Sequence, residues 1–190
     1  MNKDEEVKSA ILEAAKRVFQ KWGLNKTTME DIAHEAGKGK STLYYYFKSK
    51  DEIFELLVQV ELSNIIHKAK SSTVDLISSK EKLKKYIETM LKEIKKSVSL
   101  YSLVSGEIKG NQEFIARTSK LLNDREKAII IEILKEGHIA GEFNYIKDTE
   151  INKFASVIVG MISGLSIYLF FDNDDNEMID IATRVIAEGF

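Results

Sequence analysis

A chain of 190 residues, 44% hydrophobic and 31% charged, has the make-up of an ordinary soluble globular protein, with room for one sizeable domain or a small one joined to a medium one. Without cysteine it builds neither a disulfide framework nor a thiolate site, and without proline it suits long uninterrupted helices. The net charge of −2 excludes a generic polyanion binder, yet residues 1–50 carry ten Lys/Arg against seven Asp/Glu while the remainder carries eighteen against twenty-three, a basic head on an acidic body.

The first helix is predicted from about Asp4 to Trp22. Val7, Ile11, Ala14, Val18 and Trp22 recur at helical spacing, and Ala10, Ala15 and Phe19 widen the stripe. Acids open it and Lys21 closes it, as the helix dipole prefers. The opening residues, Met1–Glu6, hold no apolar run for a signal peptide, so the expected compartment is the cytoplasm. Gly23 ends the helix. Thr27 and Thr28 both qualify as the next cap, and Thr27 with Glu30 has the spacing of a capping box. A short helix should run from Thr28 to about Ala36 and stop at Gly37, where glycine takes a left-handed conformation freely.

A third helix is expected from Gly39 or Lys40 to Phe47. Ile32, Ala33, Ala36, Leu43 and Phe47 can meet in one small core, which leaves Lys40, Ser41, Thr42, Tyr44 and Tyr45 on the other face. From Lys38 to Lys50 there are four lysines and no acid. Two short helices, the second basic and rich in hydroxyls, form a helix-turn-helix, the arrangement that enters a DNA major groove. The plainer alternative is a solvated basic edge. Three consecutive tyrosines flanked by lysines argue against it, because exposed aromatic rings cost solubility, whereas tyrosine hydroxyls and lysine ammoniums are good phosphate ligands.

Ser49-Lys50-Asp51-Glu52 again has the spacing of a cap, and a long helix is predicted from Lys50 to about Ser71. It is too long to serve the small domain alone, so the domain boundary should fall inside it. Lys80 to about Val98 is amphipathic; its seven lysines are interleaved with three glutamates and read as a solvated face. A short helix is expected over Leu100–Ile108 and a long one from Gln112 to about Gly137. Gly137 and Gly141 should then bracket a short segment ending in Glu142-Phe143. Thr149 or its neighbour should cap the most hydrophobic helix. Its eighteen uncharged residues, Phe154 to Phe171, span ~27 Å, enough for a bilayer core. A buried subunit interface explains them better: the run is single, is interrupted by Gly160, Ser163, Gly164 and Ser166, and lacks basic flanks. The last helix is predicted from about Asn176 to Glu188.

The stretch Thr27-Thr28-Met29-Glu30-Asp31-Ile32-Ala33, then Ala36-Gly37, Thr42-Leu43-Tyr44-Tyr45-Tyr46-Phe47 and Ser49-Lys50-Asp51, resembles the DNA-binding domain of the TetR/AcrR family of bacterial transcriptional regulators. It covers the first quarter of the chain. Lys38 and Gly39 depart from the usual pattern, which leaves the operator sequence open. The resemblance implies an all-α fold of about nine helices. A three-helix DNA-binding domain over residues 1–48 would precede a ligand-binding and dimerisation domain over 49–190. It implies a homodimer on a palindromic double-stranded operator, most simply a repressor released by a small apolar effector.

The expected DNA-binding residues are Thr28, Lys38, Lys40, Ser41 and Thr42, with Tyr44, Tyr45, Lys48 and Lys50. Met90, Tyr101, Phe114, Met161 and Tyr168 are candidates for a ligand pocket. Ala155, Gly160, Ser163, Gly164 and Ile167, with Met178, Ala182 and Val185, are candidates for the dimer interface. No catalytic constellation stands out, so no enzyme activity is expected, and no cofactor. The three histidines, His34, His67 and His138, are too far apart for a metal site. The acidic loop Asp172, Asp174, Asp175 and Glu177 lacks the pattern of a calcium loop. The competing reading is an all-helical carrier or enzyme that uses the C-terminal domain and keeps the head as a relic, a relic being free to accumulate acids on the basic face.

Overall fold

The computed structural model describes residues 3–97, 112–171 and 176–188. Among them are eight α-helices and no strand: α1 (Lys3–Trp22), α2 (Met29–Glu35), α3 (Lys40–Tyr46), α4 (Lys50–Ser71), α5 (Ser79–Lys96), α6 (Gln112–Ile139), α7 (Ile151–Phe171) and α8 (Asn176–Glu188). A 3-10 turn, Asp148–Glu150, leads into α7. The helix expected over Leu100–Ile108 lies outside the described residues. No helix among them is long and apolar enough to cross a membrane. The chain divides into two compact units, the first taking the residues up to Glu61 together with the start of α6 up to Ala116, the second taking up at Leu62 and again at Arg117, so the divisions fall inside α4 and α6.

The first unit is built on the stripe of α1. Ile11, Ala14, Ala15, Val18 and Phe19 are buried, and against them pack Met29, Ile32 and Ala33 of α2, Leu43 of α3, Phe47, and Ile53, Phe54 and Leu57 of α4. Phe19 meets Phe54 edge to face, ring centroids 5.5 Å apart. Gly23 and Gly37 sit at φ 78° and 61°, the left-handed positions that stop α1 and α2.

The cap of α2 differs from expectation. Thr28 is the N-cap: its hydroxyl accepts from the Asp31 N–H, and the Asp31 carboxylate accepts from the Thr28 N–H at 2.8 Å. The box is therefore Thr28 with Asp31. Thr27 is buried and donates its hydroxyl to the Gly23 carbonyl at 2.6 Å, closing the loop after α1. Ser49 caps α4 as expected, accepting from the Glu52 N–H, while the Glu52 carboxylate reaches the Lys48 N–H.

In the second unit α5 is the central strut. Leu83, Tyr86, Ile87, Met90, Leu91 and Ile94 are buried, with α7 and α8 packed along the helix. The Gly137–Phe143 segment locks the start of α5. α6 continues past Gly137 to Ile139, so Gly137 does not end it. A side chain there would overlap the ring of Phe143 and approach Ser79 Cβ at 2.7 Å. Glycine is required at this point for close packing, and the turn is made by Gly141, at φ 76°. Glu142 then accepts from the N–H groups of Lys80 and Ser79 and from the Ser78 hydroxyl. These donors, Lys80 first, hold its carboxyl below the ordinary value. The Ser79 and Lys80 N–H groups are among the orphan donors that open a helix.

Candidate nucleic-acid interface

α2 and α3 are seven residues each, too short to hold shape alone, and the buried apolar positions Ile32, Ala33, Leu43 and Phe47 orient them. The opposite side of α3 is thereby turned to solvent. Lys38, Lys40, Ser41, Tyr44, Tyr45 and Lys48 are exposed, Thr42 is half-buried, and Tyr45, the most open aromatic among the described residues, is 79% exposed. Gly39 supplies the N-cap without a side-chain hydrogen bond. The N–H groups that begin α3 are therefore not capped by the Gly39 position.

Several of these side chains are already held. Lys40 pairs with Glu30 of α2, which raises the lysine and lowers the glutamate from their ordinary values, and its ammonium also lies 5.8 Å from the centre of the Tyr44 ring. Tyr45 stacks edge to face on Tyr46 at 4.9 Å. Tyr46 donates its hydroxyl to Asp4 of α1 at 2.7 Å and so fixes the end of α3. Glu30 and Tyr46 were absent from the residues expected here. Each acts by placing a neighbour, which sequence spacing does not reveal. Thr28 is exposed, but its hydroxyl is engaged with Asp31.

Lys50 departs most from expectation. Its ammonium donates to the carbonyls of Leu24, Asn25 and Thr27 at 2.7, 3.1 and 2.9 Å. It stands half-buried, bridging the start of α4 to the loop between α1 and α2. An ammonium has three donors, and all three are used. These three bonds tie the start of α4 to the loop after α1, so the ammonium is engaged within the head. Lys50→Met should destabilise the head by ~1–3 kcal/mol, because carbonyls lose a charged donor. The check is a urea melt followed by Trp22 fluorescence. A variant of unchanged midpoint but weaker DNA binding would return Lys50 to the interface.

A second surface lies on α7. Phe154, Val157 and Met161 are exposed, with exposed Gly160 and Gly164 on the same side, a stripe at spacings of three and four residues. Of the residues expected at a dimer interface, Gly160 and Gly164 lie on this stripe. Ser163, Met178 and Val185 are half-buried. Ala155 and Ala182 are corrections: both are buried within their own chain, Ala155 opposite the stripe and Ala182 on the side of α8 that packs along α5. Ile167 lies outside the described side chains. Of the pocket candidates, Met90 is buried on α5, whereas Met161 is 45% exposed on the α7 stripe and is withdrawn from the interior. Tyr101, Phe114 and Tyr168 lie outside the described side chains.

Residues 11–57 match the family model described as bacterial regulatory proteins, tetR family. The HTH-type transcriptional regulator QacR of Staphylococcus aureus is 26% identical over 183 residues, covering 94% of this chain and 93% of that protein. The HTH-type transcriptional repressor KstR2 of Rhodococcus jostii is 25% identical over 147 residues, covering 76% and 71%. Among solved structures, the transcriptional regulator FadR from Bacillus subtilis, in complex with stearoyl-CoA, superposes with a TM-score of 0.76 at 19% identity, over 96% of this chain and 98% of that one. These relatives are regulators of transcription, and the likeness runs through both units.

Proposed function

We propose that this chain, whose residues 11–57 match the tetR family of bacterial regulatory proteins, is a ligand-responsive repressor that binds a palindromic operator as a homodimer and leaves it when a small, largely apolar ligand binds. The observation that carries this reading is the outer face of α3, exposed, basic and without an acid from Lys38 to Lys50. In this reading residues 1–48 bind DNA and residues 49–190 bind ligand and dimerise. One helix-turn-helix reads too few base pairs to be selective, so two are needed, related by a two-fold axis. The apolar stripe of α7, with its two glycines, supports the pairing of copies. The stearoyl-CoA held by the Bacillus regulator supports an apolar effector for a helical domain of this kind.

The mechanism rests on α4. Its start is fixed to the head by Lys50, Ile53 and Phe54, and it continues without a break beyond Glu61, where the second unit takes over. A ligand that shifts the far half of α4 would swing the head. DNA sets the spacing of the two recognition helices at ~34–36 Å or a multiple, so a few ångströms of misfit lose contacts in both half-sites.

Two measurements test the proposal. On DNA from beside the protein's own gene, Lys38→Ala and Lys48→Ala should each weaken specific and random DNA alike and lower the log–log salt slope by ~0.9. An unchanged slope in both removes the α3 face from DNA. A ligand found by thermal shift should bind ~5–150-fold more weakly when operator is present, because linkage is reciprocal. Equal affinity with and without operator would rule out release by that ligand.

A further inference from the structure

Inside the second unit, Tyr86 of α5 and Glu126 of α6 each bury a polar atom that has no hydrogen-bond partner among the described residues: the tyrosine hydroxyl and Glu126 Oε1. Tyr86 is fully buried and Glu126 is 5% exposed. Both stand on apolar stripes, Tyr86 between Leu83, Ile87 and Met90, and Glu126 one turn before Ile130. Glu126 is near enough for its charge to disfavour the Tyr86 phenolate, yet the two are not hydrogen bonded to one another. A third orphan, the Thr183 hydroxyl, lies on α8, the helix packed along α5. The neighbouring cation on α6, Arg125, is exposed and donates to the Ser63 hydroxyl. Burial pushes the Glu126 carboxyl up to about 7, and among the described residues no cation is recorded that offsets it.

A carboxyl and a phenol stranded in an apolar interior cost stability, and a chain under selection for stability alone would replace them with leucine and phenylalanine. We propose that Glu126 and Tyr86 form the polar recognition point of the effector site, and that the effector they select carries a basic nitrogen on an apolar body; this rests on the reading of the protein as a ligand-responsive regulator. An ammonium or amidinium supplies the N–H donors that Glu126 Oε1 and the Tyr86 oxygen both lack. A neutral chain would leave the carboxylate unserved, and an anionic head would be repelled by it. Excess binding energy therefore comes from the charge, and the apolar stripes around Met90 and Ile130 take the body of the ligand.

The test compares three probes that share one chain: decylamine, decanol and decanoate, titrated calorimetrically into the full-length protein below their micelle concentrations. Decylamine should bind at least tenfold more tightly than either of the others. Glu126→Gln, which keeps shape and removes the charge, should abolish that preference while leaving decanol binding unchanged. Tyr86→Phe should weaken decylamine several-fold. Equal affinities for the three heads in the wild-type protein would overturn the proposal without recourse to any variant. So would a Glu126→Gln protein that still prefers the amine, the result expected if a buried water serves the pair. Operator binding is measured on the same samples. Failure to bind operator defeats the regulator reading and leaves the head-group preference to stand or fall by itself.

Discussion

Phe47→Ala should unfold the head and abolish operator binding while the second unit keeps its own transition. Phe47 is 3% exposed, closes α3 as its C-cap, and donates its N–H to the Leu43 carbonyl. It joins Leu43 and Ile53 in a core to which α2 and α3 contribute few other large side chains. Truncating a buried phenylalanine costs ~3–5 kcal/mol. Small domains have ~5–15 kcal/mol in total, and one of about sixty residues lies near the lower bound. The head would then be mostly unfolded near 37 °C. Trp22, the chain's single tryptophan, lies at the end of α1 and is 54% exposed, so its emission reports this unit. The expected urea profile has two steps, the Trp22 step moved to lower denaturant and the second, followed by far-ultraviolet dichroism, left in place. A wild-type Trp22 midpoint in the variant would contradict this account of the core.

Gly164→Leu should split the dimer without unfolding the subunit. A Cβ added at Gly160 or Gly164 has no atom of a neighbouring element within 4 Å among the described residues. Leucine also favours helix over glycine by up to ~1 kcal/mol, so the subunit itself loses nothing. A partner helix pressed against the two glycines would be forced away, at ~1–3 kcal/mol for a well-packed contact. By the tenfold per ~1.4 kcal/mol rule the dimer weakens ~5–150-fold, and operator affinity should fall with it, because each head alone holds only half a site. Sedimentation at micromolar concentration should show dimer for the wild type and a monomer–dimer mixture for the variant. A wild-type protein that sediments as a monomer would end the two-fold model.

Much of the head was legible because its determinants are local. Helix periodicity placed α1 and α4, left-handed glycines at 23 and 37 stopped α1 and α2, and an acid-free stretch from Lys38 to Lys50 marked the outer face of α3. Each depends on residues within a few positions of one another, and local sterics and spacing decide such features. The expectations that changed depend on groups distant along the chain. Thr27 with Glu30 and Thr28 with Asp31 have the same spacing, and only the pull of the Gly23 carbonyl on Thr27 chooses between them. Lys50 looked like another phosphate ligand until the carbonyls of residues 24–27 were brought to its ammonium. Gly137 looked like a helix stop, and the Phe143 ring folding back made it a contact point. On α7, apolar nearly all round, periodicity cannot separate inward from outward, so Ala155 and Met161 were assigned to the wrong sides. Glu126 had no signal at all. A single glutamate on a long helix is ordinarily solvated, and only the packing of α6 into the second unit turns this one inward, where burial changes its chemistry.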